Sequence, residues 1–187
     1  MDLRFDGLSF RAADSLLKES SNTYRQIAVY VKSHGGYHIV SEKATEYFGC
    51  WFGDRRVVTI RPEVKGALMV SVLAFEMTNA FQSDEHLKVD ADARNGLINQ
   101  KQFVKSHETI EYQGQVMHCQ ILKELHSVLG ELPQEMFIFM DPKIRKILVP
   151  FGPKFWVPPD LKSFLKAQNE SGHSEHYRRW YLKQKSL

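Results

Sequence analysis

Apolar residues recur at near-helical spacing over residues 14–34, at Leu16, Leu17, Tyr24, Ile27, Ala28 and Val31. This pattern predicts a helix, with Ser20, Ser21 and Asn22 as a break and a new N-cap, and Gly35 and Gly36 as its end. Three short stretches of β character follow, over residues 37–40, 47–52 and 56–60, with Gly53 and Asp54 as a hairpin turn between the last two. Arg61, Pro62 and Glu63 open a long helix that the apolar pattern carries to about Gln82, with Pro62 suited to the first turn and Glu63 to the positive end of the helix dipole. Ser83, Asp84 and Glu85 read as a fresh start, and Arg94, Asn95 and Gly96 as a stop.

From residue 99 to 129 the chain has no proline. Phe103, Val104, Ile110, Val116, Cys119, Ile121, Leu122 and Leu125 keep helical register there. This is the second long helix, with Gly114 as a weak point and Gly130 as terminator. After Pro133 the pattern changes. Residues 136–140 suit a short strand or a turn of helix, residues 144–149 a strand, and residues 150–159 (PFGPKFWVPP) an irregular aromatic segment that proline keeps out of helix and sheet. Two short helices, over residues 161–168 and 176–183, close the chain around a polar stretch at 169–174.

A length of 187 residues fits one domain that needs neither disulfide nor metal as a staple. Its parts are an N-terminal helical segment (1–36), a sheet with two long helices (37–130), and an aromatic, Pro-rich segment with C-terminal helices (131–187). The predicted class is α+β, with long helices on a small, mainly antiparallel sheet. The net charge of +3 is spread along the chain. Dense basic clusters occur only at residues 143–146 and at Arg178, Arg179, Lys183 and Lys185, which is not the concentrated stripe of a duplex binder. The longest apolar run, residues 67–75, is broken by Ser71 and too short to span a bilayer. Asp2 and Asp6 leave the N-terminus without the apolar core of a signal peptide. Cys50 and Cys119 cannot form a metal site by themselves. They suit a reducing compartment, with a single bridge left open.

The most distinctive stretch is residues 68–82, LMVSVLAFEMTNAFQ. Its centre reads Phe75, Glu76, Met77, Thr78, Asn79, where a zinc peptidase reads H-E-x-x-H. That motif needs two imidazoles one helical turn apart on one metal, and a Glu between them to deprotonate the bound water. Only the Glu is present. Glu76 is therefore either a catalytic base or a buried, paired carboxylate of an apolar helix. Burial without partners would cost several kcal/mol, on the order of 2–7, so partners are expected from the second long helix. There, Glu111, Gln115 and His118 form a polar stripe at i, i+4 and i+7. If a metal is held, the ligand set is Glu76, Glu111 and His118. Phe151, Phe155 and Trp156, on a proline-stiffened backbone, are candidates for partner recognition. The other reading of this segment is a loop that plugs the core.

Residues 57–118 resemble small zincin-like, peptidase-like domains of bacterial toxins and secreted effectors. In such domains a downstream helix supplies a Glu as third ligand, a place matched by Glu108 or Glu111, while Glu76 matches the general base. With the size, the N-terminus MDLRFDGLSF and the segment LAFEMTNAF, the whole chain resembles EvpP-like effectors of type VI secretion systems. This resemblance implies a zincin-like scaffold without zinc or any other cofactor, and a protein that acts by binding. It implies transport from the bacterial cytoplasm to the host cytosol with the tube-forming Hcp-type protein, without a cleavable signal peptide. It further implies contact with a host signalling protein and interference with inflammatory signalling, with neither nucleic acid nor membrane insertion involved. The alternative is an active hydrolase that uses Glu76 with a non-standard metal site.

Overall fold

The computed structural model describes residues 4–43, 47–137, 160–170 and 172–185. The predicted break in the first helix is real. Helix α1 (Phe10–Ser20) is capped by the side chain of Ser9, and α2 (Asn22–Ser33) by that of Ser21, which accept from the N–H of Ala12 and of Tyr24 at 3.2 and 3.0 Å. Serine suits this position because its hydroxyl oxygen satisfies one of the orphan donors of the first turn. Helix α1 starts earlier than its apolar spacing suggests, since Ser9 provides the cap. The N-terminus of α2 is tied down from far away. Glu124 accepts from the Ser21 hydroxyl at 2.6 Å and from the Thr23 N–H and hydroxyl at 2.9 and 2.7 Å.

The sheet has the order β1-β3-β2, formed by β1 (His38–Ser41), β2 (Gly49–Phe52) and β3 (Val57–Ile60). It is mixed rather than mainly antiparallel: β3 pairs antiparallel with β2 but parallel with β1, with His38 opposite Val57 and Ser41 opposite Ile60. The chain folds back after β2 through the turn at residues 53–56 and inserts β3 between the two earlier strands, which places Val58, Thr59 and Ile60 in the core. The turn is longer than the Gly53–Asp54 pair predicts and ends on Arg56, a non-glycine residue at φ 53°. Its guanidinium Nε donates to Gly36 O at 2.8 Å. That bond fixes the start of β3 against the C-terminal end of α2 and helps offset the backbone strain.

The first long helix, α3 (Gly66–Phe81), begins four residues past Pro62. Residues 61–64 form a turn closed by Val64 N–H on Arg61 O at 3.0 Å, and Gly66 sits at φ +59°, so the helical path cannot extend back through it. Ten of the sixteen residues of α3 are buried, which makes it the central element of the core. α1, α2, the sheet and a 3-10 turn at Gln134–Phe137 surround it. Also packed on α3 is α5 (Gln100–Leu129), which opens on a capping box formed by Asn99 and Gln102 and ends at Gly130. Helix α4 (Ser83–Arg94) follows α3 with its boundaries as predicted.

Helix α5 runs unbroken through Gly114. A Cβ there would lie 2.7 Å from Gln82 Oε1 and 3.0 Å from Thr78 Oγ1, so the glycine is the point of close approach between α3 and α5. Helices α6 (Leu161–Glu170) and α7 (His173–Lys185) are longer than predicted and meet at Gly172, φ +81°. They pack on α5, and α7 also packs on α4, around a second small core of Ala93, Phe103, Val104 and Tyr177. The strand predicted at residues 144–149 and the aromatic segment at 150–159, with Phe151, Phe155 and Trp156, lie outside the described residues.

Candidate functional site

Glu76 lies on the face of α3 that meets β2, and only 6% of its surface is exposed. Gly49 allows this contact, since a Cβ there would stand 3.1 Å from Glu76 Cγ and 2.6 Å from Val72 Cγ1. The partners of the carboxyl group are not those expected from α5. Asn79 Nδ2, one turn along the same helix, donates to Oε2 at 3.0 Å, and the backbone N–H of Trp51 in β2 donates as well. Burial pushes the pKa up to about 7. The two donors oppose the rise and the neighbouring charge of Glu111 adds to it. A carboxyl group poised near neutrality can act as a general base, but here it also joins the edge of β2 to the central helix.

The other positions of the motif are used in packing and hydrogen bonding. Phe75 meets His118 edge to face, and Asn79 serves Glu76. His118 is fully buried on α5, with Nε2 at 3.1 Å from both Ser71 Oγ and Ser71 O. The Ser71 hydroxyl proton goes to Met136 O at 2.6 Å, so Nε2 carries the hydrogen and donates to Ser71. Burial lowers the imidazole pKa to about 3. The ring is a neutral link between α3, α5 and the 3-10 turn.

The polar stripe on α5 therefore divides. His118 turns to α3, whereas Glu111 and Glu108 turn to the C-terminal helices. Glu111 accepts from the Tyr177 hydroxyl and from Gln168 Nε2 at 3.1 Å, with His173 Nδ1 at 3.7 Å. Glu108 accepts from the Ser174 hydroxyl, and burial raises its pKa. Glu76, Glu111 and His118 are thus engaged by different partners. Among the described residues no three His, Cys, Asp or Glu side chains are grouped to hold a metal. Cys50 and Cys119 are free thiols, pushed by burial up to about 12 and about 11, far from the thiolate a nucleophile requires.

Sequence reasoning missed a second polar cluster between α4, α5 and α7. His107, 2% exposed, has Nε2 at 3.2 Å from Asp90 Oδ1 and Nδ1 at 2.7 Å from His86 Nδ1. Its ring stacks on Tyr177, with centroids 4.7 Å apart and planes at 7°. In the neutral state His107 Nε2–H donates to Asp90 and accepts at Nδ1 from His86 Nδ1–H, which orients both rings. Burial and the neighbouring imidazole lower the His86 pKa to about 4. The available signal was the i, i+4 spacing of His86 and Asp90 on one helix, with His107 on the apolar face of the next.

The chain matches no protein-family model, no curated protein and no solved structure. No helix among the described residues is long and apolar enough to cross a membrane.

Proposed function

We propose that the protein acts by binding other proteins, as an exported effector of the type VI kind on a zincin-like scaffold without zinc. The observation that supports this reading is the state of Glu76: the one residue of the H-E-x-x-H pattern that remains is buried and hydrogen-bonded by Asn79 and Trp51, with Phe75 packed on His118. These side chains serve packing, and none is left as a zinc ligand on this helix. The sequence resemblance adds the Hcp-type tube protein as export partner and a host signalling protein as target. Pull-down with purified tube protein, together with elemental analysis of the effector, tests the reading. Complex formation and substoichiometric zinc are expected. A tightly bound zinc in every chain, or no association with the tube protein, would overturn it.

One observation favours a second reading. A buried carboxyl group with its pKa near 7 has the protonation behaviour of a hydrolytic general base. Under that reading Glu76→Gln abolishes a hydrolytic activity while the fold persists. Under the binding reading it leaves partner affinity unchanged.

A further inference from the structure

One edge of the sheet is uncovered among the described residues. β1 pairs only with β3, and His38 and Glu42 donate their backbone N–H groups to Arg56 O and Ile60 O at 3.0 and 3.1 Å. Along a parallel ladder, alternate residues direct their backbone groups to opposite edges. The N–H and C=O groups of Ile39 and Ser41 are therefore directed away from β3. Such a row of open donors and acceptors is a template for another strand. The side chains of His38, Val40 and Ser41 are exposed, so among the described residues a newcomer would meet no covering layer there.

The edge runs beside an open groove of about 620 Å³ between α1, the end of α2 and the start of β1. Three cations, Arg11, Lys18 and Lys32, line it against one carboxylate, Asp14. Asp14 already holds Lys18 at 2.5 Å and the hydroxyls of Tyr24 and Tyr37 at 2.8 Å each. No carboxylate among the described residues pairs with Arg11 or Lys32. A strand edge with open hydrogen-bonding groups beside unneutralised cations suits an extended chain that carries negative side chains.

We propose that β1 is the docking edge for an extended acidic segment of a partner protein, which adds as a strand along Ile39 and Ser41 and sets its carboxylates against Arg11 and Lys32. The inference supplies a partner chemistry for the protein-binding reading above and rests on it.

The test uses the full chain and a labelled peptide of alternating Val and Glu, about as long as a globular strand, roughly six residues. Binding is measured by fluorescence anisotropy, and the contact is mapped by amide NMR shifts on the unaltered protein. Ser41→Pro removes an edge N–H without touching the β3 ladder, and proline is tolerated at such a position. Arg11→Glu with Lys32→Glu reverses the groove charge. Each change should weaken the peptide about tenfold or more with thermal unfolding unchanged, and the largest shifts should fall on Ile39 and Ser41. If Ser41→Pro lowers the melting temperature, the NMR map and the charge-reversal variant decide. Absence of peptide binding, or shifts that leave Ile39 and Ser41 unmoved, overturns the proposal. So does a single-stranded RNA that binds as well as the peptide and is insensitive to Ser41→Pro, because the groove is then a polyanion site. Tube-protein pull-down is run in parallel. If the peptide docks on β1 while the tube protein fails to bind, the effector reading falls and the docking edge stands; if only the peptide fails, the reverse holds.

Discussion

Phe75 and His118 meet edge to face, with ring centroids 5.9 Å apart and planes at 89°. The aromatic ring thus stands where an H-E-x-x-H sequence has its first His, and the imidazole it touches belongs to the neighbouring helix. Phe75→Ala should therefore destabilise the fold by about 2 kcal/mol, less than a fully enclosed Phe because Phe75 is half-buried. Urea unfolding measures this. Unchanged stability would mean that the contact contributes no packing energy.

Glu76 gives a pH signature. Its folded pKa of about 7 lies above the ordinary carboxyl value of 4.5, so the folded state binds the extra proton. Its stabilising contribution is complete below pH 4.5 and is lost as the pH rises through 7, by on the order of 3 kcal/mol. Glu76→Gln removes that loss. Asn79 can turn its amide to present Oδ1, which is buried and has no partner, to the new amide. The variant should match the parent near pH 5 and exceed it near pH 8 in denaturant midpoint. A variant uniformly weaker at both pH values would show that the group is ionised throughout.

His86 and His118 act in the opposite direction. Their folded pKa values, about 4 and about 3, lie below the ordinary 6.5, so the unfolded chain binds more protons as the pH falls. Their contribution is complete above pH 6.5 and is lost on acidification. Between pH 6.5 and 4.5 two imidazoles outweigh one carboxyl, so the net loss approaches about 1.4 kcal/mol per pH unit. His86→Gln should flatten that slope in urea titrations between pH 4.5 and 6.5. An equal slope in the variant would remove His86 from the balance.

Gly114→Ala tests two opposed effects. Helix propensity alone favours alanine by about 1 kcal/mol. The added methyl would stand 2.7 Å from Gln82 Oε1, and Gln82 is held in place by its Nε2 bond to Ile110 O at 2.8 Å. Overpacking of this kind costs about 1–3 kcal/mol, so a lower melting temperature is expected. A higher one would show that α3 and α5 separate freely.

The elements with local signals were legible in the sequence. Ser21 as a cap, Gly35 and Gly36 as a stop, Asn99 and Gly130 at the ends of α5, and the burial of Glu76 all follow from neighbours a few residues away. What distant partners decide was not legible. The parallel pairing of β1 depends on where β3 inserts, and the role of Gly114 depends on Gln82 in another helix. Trp51 reaches Glu76 because β2, not α5, packs on that face of α3, whereas Asn79, three residues on in the same helix, is a local partner. The cluster of His86, Asp90 and His107 appears only when α4 and α5 are set side by side.

The clamp of Glu124 on Ser21 and Thr23 spans about a hundred residues of chain. The first turn of α2 is completed by a carboxylate that arrives only when α5 has docked, so this turn cannot be finished by local folding. The Thr23 amide thus becomes a reporter of global opening: its hydrogen should exchange with deuterium as slowly as those at the centre of α3, even though it lies at a helix end where fraying is the rule. One exposed-looking junction is thereby enrolled in the same cooperative unit as the core.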